Sequence, residues 1–253
     1  MKSEADILYT SAQNILNKKQ NFLSKLFFPF DMEDSLIRAT DLLEESGQKY
    51  LIEKEYDSFI KTCDLRIDTF IKLKDNYSVC LLLQKMGDFY SRRDIDKSIE
   101  CYQRAITYAH ITKKFQLYMS IIKLNEKLGK FDLVIKLCEE LLDNYVELIT
   151  PHQCKEVGTK LADLYYANGN YFKAGEIYKK IVLENESSIY LIENQITRSI
   201  RSLILSERTD QAIELHHTYG KKFTNYYQSK IGSDISKILE ENKEENILYP
   251  DIL

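Results

Sequence analysis

The sequence predicts an all-α chain, a right-handed α-solenoid built from antiparallel helix pairs, and three observations lead there. Three prolines and eight glycines in 253 residues are few. Because these residues break helices and build turns, their scarcity leaves long helices with brief connections. Runs of alternating polarity bounded by Gly or Pro, which would signal strands, do not occur. Finally, one packing signature returns along the chain at steps of 40, 36, 40 and 38 residues, and regular return of this kind marks stacked repeats.

The first copy of the signature is the faintest, with Ser58, Thr62 and Leu65 at helical spacing. The second reads Met86-Gly87-Asp88-Phe89-Tyr90, then Ser98, Tyr102 and Ala105, with one residue missing from the turn. A third has Gly129-Lys130-Phe131 as its turn, followed by Val134, Cys138 and Leu141. The clearest, within residues 154–187, places Leu161, Ala162 and Tyr165 on a first helix, turns at Asn168-Gly169-Asn170, and continues through Ala174, Tyr178 and Ile181. Ala212, His216 and Tyr219 make a fifth. Large, small and aromatic residues at these spacings let the second helix of a pair settle against the first, as in tetratricopeptide (TPR) repeats of about 34 residues. The longer steps here predict longer TPR-like helices. Each pair has an apolar face that only its neighbour can cover, so a single domain over residues 1–253 is expected, with an apolar loop at 21–30 between an opening helix and the array.

Composition narrows the function. With 44% hydrophobic residues the chain can bury a sizeable core, and a net charge of −4 gives no reason to expect nucleic acid as a partner. The five cysteines, Cys63, Cys80, Cys101, Cys138 and Cys154, are odd in number and widely spaced, which points to reduced core thiols rather than disulfides or a CxxC site. The N-terminus lacks a signal peptide's basic start and apolar run, and no stretch approaches the ~18 apolar residues of a membrane span, so a soluble intracellular protein is expected. No catalytic triad, phosphate loop or dinucleotide motif can be assembled. Glu44-Glu45 and Glu139-Glu140 are sequence neighbours and do not share a helix face, and His152 with Cys154 falls short of a zinc ligand set. The reading is a binding protein without cofactor or metal, not an enzyme.

Two features exceed the needs of packing. The segment Asn21-Phe22-Leu23-Ser24-Lys25-Leu26-Phe27-Phe28-Pro29-Phe30 concentrates apolar area in a loop, so Phe22, Leu23, Leu26, Phe27, Phe28 and Phe30 either fold back as a cap or protrude toward a membrane or partner. The other is a basic series: Lys85, Lys160 and Arg198 recur at one position of the first helix of their pairs, with Lys114, Lys123, Lys127, Arg92, Arg93 and Arg201 near enough in the frame to widen it. First helices line the concave side of such arrays, so the series forms either a stripe suited to an acidic helical partner or an ordinary solvated face.

In order along the chain, an opening helix, a Phe-rich loop and long-period helix pairs resemble the SNAP family, the soluble NSF-attachment proteins. Met86-Gly87-Asp88-Phe89-Tyr90 through Lys97-Ser98-Ile99-Glu100-Cys101-Tyr102-Gln103-Arg104-Ala105-Ile106, Lys160-Leu161-Ala162 through Tyr171-Phe172-Lys173-Ala174, and Ile238-Leu239-Glu240-Glu241-Asn242 carry the similarity, which runs from about residue 5 to about 246. The resemblance implies a basic groove that wraps a SNARE four-helix bundle, a Phe loop that enters the membrane surface, and a C-terminal region that recruits the NSF-type AAA ATPase. It implies a cytoplasmic, peripherally membrane-associated adaptor in vesicle fusion. Lys114, Lys160 and Arg198 match SNARE-contacting positions of the family, and Phe22, Leu26, Phe27 and Phe28 match its membrane loop. Two departures stand out. Ser120 replaces a further groove lysine, and the family continues past Ile247-Leu248-Tyr249-Pro250-Asp251-Ile252-Leu253 into a tail that stimulates the ATPase. The alternatives are therefore a SNARE-binding mimic or inhibitor unable to activate NSF, and a general TPR-like interaction scaffold.

Overall fold

The computed structural model describes residues 3–17, 29–144, 150–184, 193–223 and 225–245. Among these there are twelve α-helices, one short 3₁₀ turn and no strand. The helices gather into two compact units, Met1–Leu124 and Asn125–Leu253. Within each, consecutive helices run antiparallel as pairs, the α-solenoid class that the repeat predicts.

The first unit holds α1 (Glu4–Leu16), α2 (Pro29–Glu53), α3 (Tyr56–Lys72), α4 (Asn76–Tyr90), α5 (Ile95–Tyr108) and most of α6 (Ile111–Lys127). Ser3 starts α1 with a capping box, its hydroxyl accepting from the Asp6 amide while the Asp6 carboxylate accepts from the Ser3 amide. Proline opens α2, the position where its missing N–H costs nothing. α1 lies along α2: buried Ser46 donates to the Ala5 carbonyl at 2.9 Å and Tyr50 to Asp6 at 2.8 Å. In the second pair, α4 and α5 approach closely because Gly87 has no side chain. A Cβ there would stand 2.5 Å from the Tyr102 ring, and Ser98 donates to the Gly87 carbonyl across the same gap at 2.7 Å. Arg93, in the α4–α5 turn, stacks on Phe89 at 4.1 Å and on Tyr56 of the preceding pair at 4.8 Å, tying two pairs along their turn edge.

The second unit holds the end of α6, then α7 (Phe131–Asn144), α8 (Pro151–Ala167), α9 (Tyr171–Glu184), α10 (Glu193–Leu205), α11 (Thr209–Lys222), the 3₁₀ turn Tyr226–Gln228 and α12 (Lys230–Glu245). Gly129 and Gly169 end their helices at φ +68° and +74°, the left-handed conformation that closes a helix and that side chains resist. Thr150 and Gln153 cap α8 reciprocally ahead of Pro151. Arg208 stacks on Phe172 of the preceding pair at 3.8 Å, repeating the Arg93 arrangement.

The repeat positions fall inside. Ser98, Ala105, Val134, Cys138, Leu141, Ala174, Tyr178, Ala212 and Tyr219 are fully buried, while Phe89 and Tyr90 are only half-buried. Cys63, Cys80, Cys101 and Cys138 are buried thiols without disulfides, and Cys154 is half-buried. Burial pushes the thiols up, Cys63 and Cys138 to about 12 and Cys101 to about 11.

His216 joins three elements. Its Nε2 lies 3.0 Å from the Ser236 hydroxyl on α12 and its Nδ1 2.9 Å from the buried Tyr226 hydroxyl. Ser236 spends its own proton on the Gly232 carbonyl, so the neutral ring that donates from Nε2 and accepts at Nδ1 satisfies the whole chain. Burial, and then the neighbouring His217, hold the ring's pKa below its ordinary value.

Two outcomes follow. Gly87→Ala gains about 1 kcal/mol of helix propensity but overpacks against Tyr102, which typically costs 1–3 kcal/mol, so urea unfolding should show a net loss of about 1 kcal/mol. Because the folded state favours neutral His216, its contribution is complete above the unfolded pKa near 6.5 and is lost as pH falls below that toward the depressed folded value. Denaturation series at pH 7.5 and 5.5 should therefore show a larger acid loss for the wild type than for His216→Gln.

Candidate functional site

The basic series lies on the first helices of the pairs, divided between the units. α4 and α6 carry Lys85, Lys114 and Lys123 in the first unit, and α8 and α10 carry Lys160, Arg198 and Arg201 in the second. Lys85 and Lys123 are exposed, as is Arg198, while Lys114, Lys160 and Arg201 are half-buried. Of the apolar loop, Phe22, Leu23, Leu26, Phe27 and Phe28 lie outside the described residues, and Phe30 belongs to the first turn of α2.

In the second unit the stripe is not purely basic. The ammonium of Lys160 on α8 meets Glu126 near the end of α6 at 2.6 Å. Arg198 on α10 pairs with Asp163 on α8 and lies 3.3 Å from the Tyr178 hydroxyl. Asp163 also accepts from Tyr178, whose burial, followed by that bond, pushes its phenol well above the ordinary range. Each of these cations thus meets an acid carried by the preceding first helix, three or six residues beyond the cation position of that helix. The acids neutralise the cations and link successive pairs, so Lys160 and Arg198 serve the array before they serve any partner. The more exposed Arg198–Asp163 pair contributes about 0–1 kcal/mol.

The first unit repeats half of this device. Asp88, three residues after Lys85, accepts from Tyr102 at 2.6 Å just as Asp163 accepts from Tyr178. Lys85, however, has no ion pair among the described residues. Sequence reasoning found the cations and missed their acids. The signal was present in the pattern Lys85-Met86-Gly87-Asp88 and Lys160-Leu161-Ala162-Asp163, which carries acid and base at one spacing.

Among the described residues no group of three or more His, Cys, Asp or Glu could hold a metal ion, and no helix is long and apolar enough to cross a membrane.

The sequence profile of the family described as Soluble NSF attachment protein, SNAP, matches residues 3–246. This chain belongs to the SNAP family. No curated protein sequence matches it. Among solved structures, BtubC (BKLC) from P. vanneervenii is similar at 12% identity and TM-score 0.43, covering 100% of this chain and 97% of that one. Aspartyl phosphate phosphatase F from Bacillus subtilis aligns at 16% identity and TM-score 0.43, over 97% of this chain and 72% of that one. A tetratricopeptide repeat protein from Parabacteroides merdae does so at 14% and 0.41, over 84% and 94%. Likenesses this distant carry no argument about what a SNAP-family chain binds.

Removing the ladder's two kinds of member should separate them. Asp163→Ala leaves the buried Tyr178 hydroxyl without its acceptor and should cost about 1–2 kcal/mol in urea unfolding, whereas Lys160→Ala should cost less than about 1 kcal/mol.

Proposed function

We propose that this SNAP-family chain is an adaptor that binds SNARE four-helix bundles through the cations of its first helices, touches the membrane surface through the Phe-rich segment at 21–30, and recruits an NSF-type AAA ATPase. It acts by binding and not by catalysis, in the cytoplasm and peripherally on membranes. The observation that carries the reading is the family match over residues 3–246, nearly the whole chain. Cations presented on consecutive first helices support it, since an acidic helical bundle is drawn by a long-range positive field that its contacts then fix.

A second reading, a SNARE-binding mimic or inhibitor, is favoured by the charge arrangement. Lys160 and Arg198 are already paired inside the array, and Ser120 replaces one family lysine, so the net pull on an acidic bundle is weaker than the count of cations suggests.

The exposed Lys85 and Lys123 are the cations whose reversal leaves the ladder of the second unit intact. Lys85→Glu with Lys123→Glu should reduce capture of an assembled SNARE complex in a pull-down while the melting temperature stays that of the wild type. Equal capture by both proteins would remove the cation reading, and absence of capture by the wild type would remove the SNARE reading. Adding an NSF-type ATPase to the captured complex distinguishes the two readings, because an adaptor supports disassembly and a mimic blocks it.

A further inference from the structure

In the first unit, α2, α3 and α4 enclose a cavity of about 430 Å³, within the range of about 300–1,000 Å³ that ligand pockets occupy. Its walls are apolar: Leu43 and Leu51 from α2, Phe59 from α3, and Leu82 and Phe89 from α4, with the two phenylalanine rings 5.1 Å apart. Lys85, Gln48 and Arg66 also line it.

The ladder of the second unit shows what Lys85 lacks at this space. There, Lys160 and Arg198 are each met by an acid on the preceding first helix, Asp163 at three residues past the cation position and Glu126 at six. Lys160 and Arg198 each stand nine residues before the positive-φ residue that ends their helix, Gly169 and Glu207, and the same count back from Lys54 puts Glu45 at that position in the first pair. The places that would supply an acid to Lys85 are then held by Gln48 and Leu51, and both border the cavity. Other carboxylates at the cavity are engaged: Glu44 pairs with Arg66 and Asp88 accepts from Tyr102. Lys85 is exposed, with no ion pair among the described residues. Arg66 adds a second unmet need, since its Nε is buried without a hydrogen-bond acceptor. Leu51 remains 37% exposed at the same opening, so a cation, a buried donor and an apolar surface all lack a partner at one place.

We infer that this cavity is a docking site for one acidic, leucine-type peptide segment of a partner protein, whose carboxylate takes the place of the missing ladder acid on Lys85 while its aliphatic side chain enters the Leu43–Phe89 pocket. The charge argument selects the occupant. A neutral apolar segment would leave Lys85 as it is, and a basic one would be repelled by it. The inference goes beyond the SNARE reading, because a single segment bound within the first unit suffices for it.

The test uses the full chain and a fluorescein-labelled helical peptide that carries leucines on one face with glutamates beside them, together with the same peptide bearing glutamine for every glutamate. The wild type should bind the glutamate peptide saturably in fluorescence polarisation and the glutamine peptide at least about tenfold more weakly. Lys85→Ala removes the cation, and Gln48→Glu supplies the acid internally. Each should weaken the glutamate peptide about tenfold. Gln48→Glu should also keep or raise the melting temperature, since it completes the ladder on an exposed position. Absence of saturable binding, equal binding by the variants, equal binding of the two peptides, or a lowered melting temperature for Gln48→Glu would each overturn the assignment. Displacement of the peptide by decanoate at matched concentration would also overturn it, in favour of a fatty carboxylate.

Discussion

Two helices of a pair can pack closely only where one of them presents almost nothing at the crossing. In this chain that place is filled by Ser98, Val134, Ala174 and Ala212, all fully buried, and in the second pair the facing residue is Gly87. The close approach brings the aromatic residue four positions on, Tyr102 or Tyr178, over the first helix, where its hydroxyl reaches Asp88 or Asp163. A polar tip is thereby satisfied at the edge of an apolar contact, and the aspartate is held in a fixed orientation. In the second unit the same aspartate then takes Arg198 from the next pair. Packing within a pair and linkage between pairs therefore share one residue, and the small side chain at the crossing is the condition for both.

The fifth pair departs from this scheme in an informative way. His216 stands where Tyr102 and Tyr178 stand in their pairs, and it turns to the 3₁₀ turn and α12 instead of back to the first helix. Tyr219, one helical turn later, takes over contact with the first helix through Ser199 at 2.8 Å. Around it, Ile196, Ile200, Leu203, Leu215, Tyr226, Ile235 and Leu239 form one buried cluster, so the last repeat closes on a helix outside the pattern.

Much of the fold was legible because its determinants are local. Small and aromatic residues at helical spacing read as a second helix wherever they recur, and Gly129 and Gly169 mark two of the turns, whereas Lys54 and Glu207 close helices with the same positive φ and carry no such mark in the sequence. The family was legible from the order of such units together with the Phe-rich segment. The candidate site was legible only in part. Lys85, Lys160 and Arg198 could be placed at one repeat position, but whether a lysine faces water, a partner or an acid on another helix depends on which pairs face each other and at what offset. A spacing of three or six residues in the frame looks like any other polar spacing until the helices are set side by side. The vacancy opposite Lys85 was hidden for the same reason, since Gln48 and Leu51 are unremarkable except as replacements for acids that other pairs possess.

The thiols have a consequence of another kind. Cys63, Cys80, Cys101 and Cys138 are buried on α3, α4, α5 and α7, four different helices, and none is bonded to another. Held protonated by burial, they are poor nucleophiles while the helices stay closed. A thiol reagent can modify Cys80, Cys101 and Cys138 chiefly during the moments when their own helices lift away, whereas Cys63 also borders the cavity between α2, α3 and α4. The chain thus carries natural gauges of local breathing, and their separate labelling rates would rank how often individual helices open without any residue being changed.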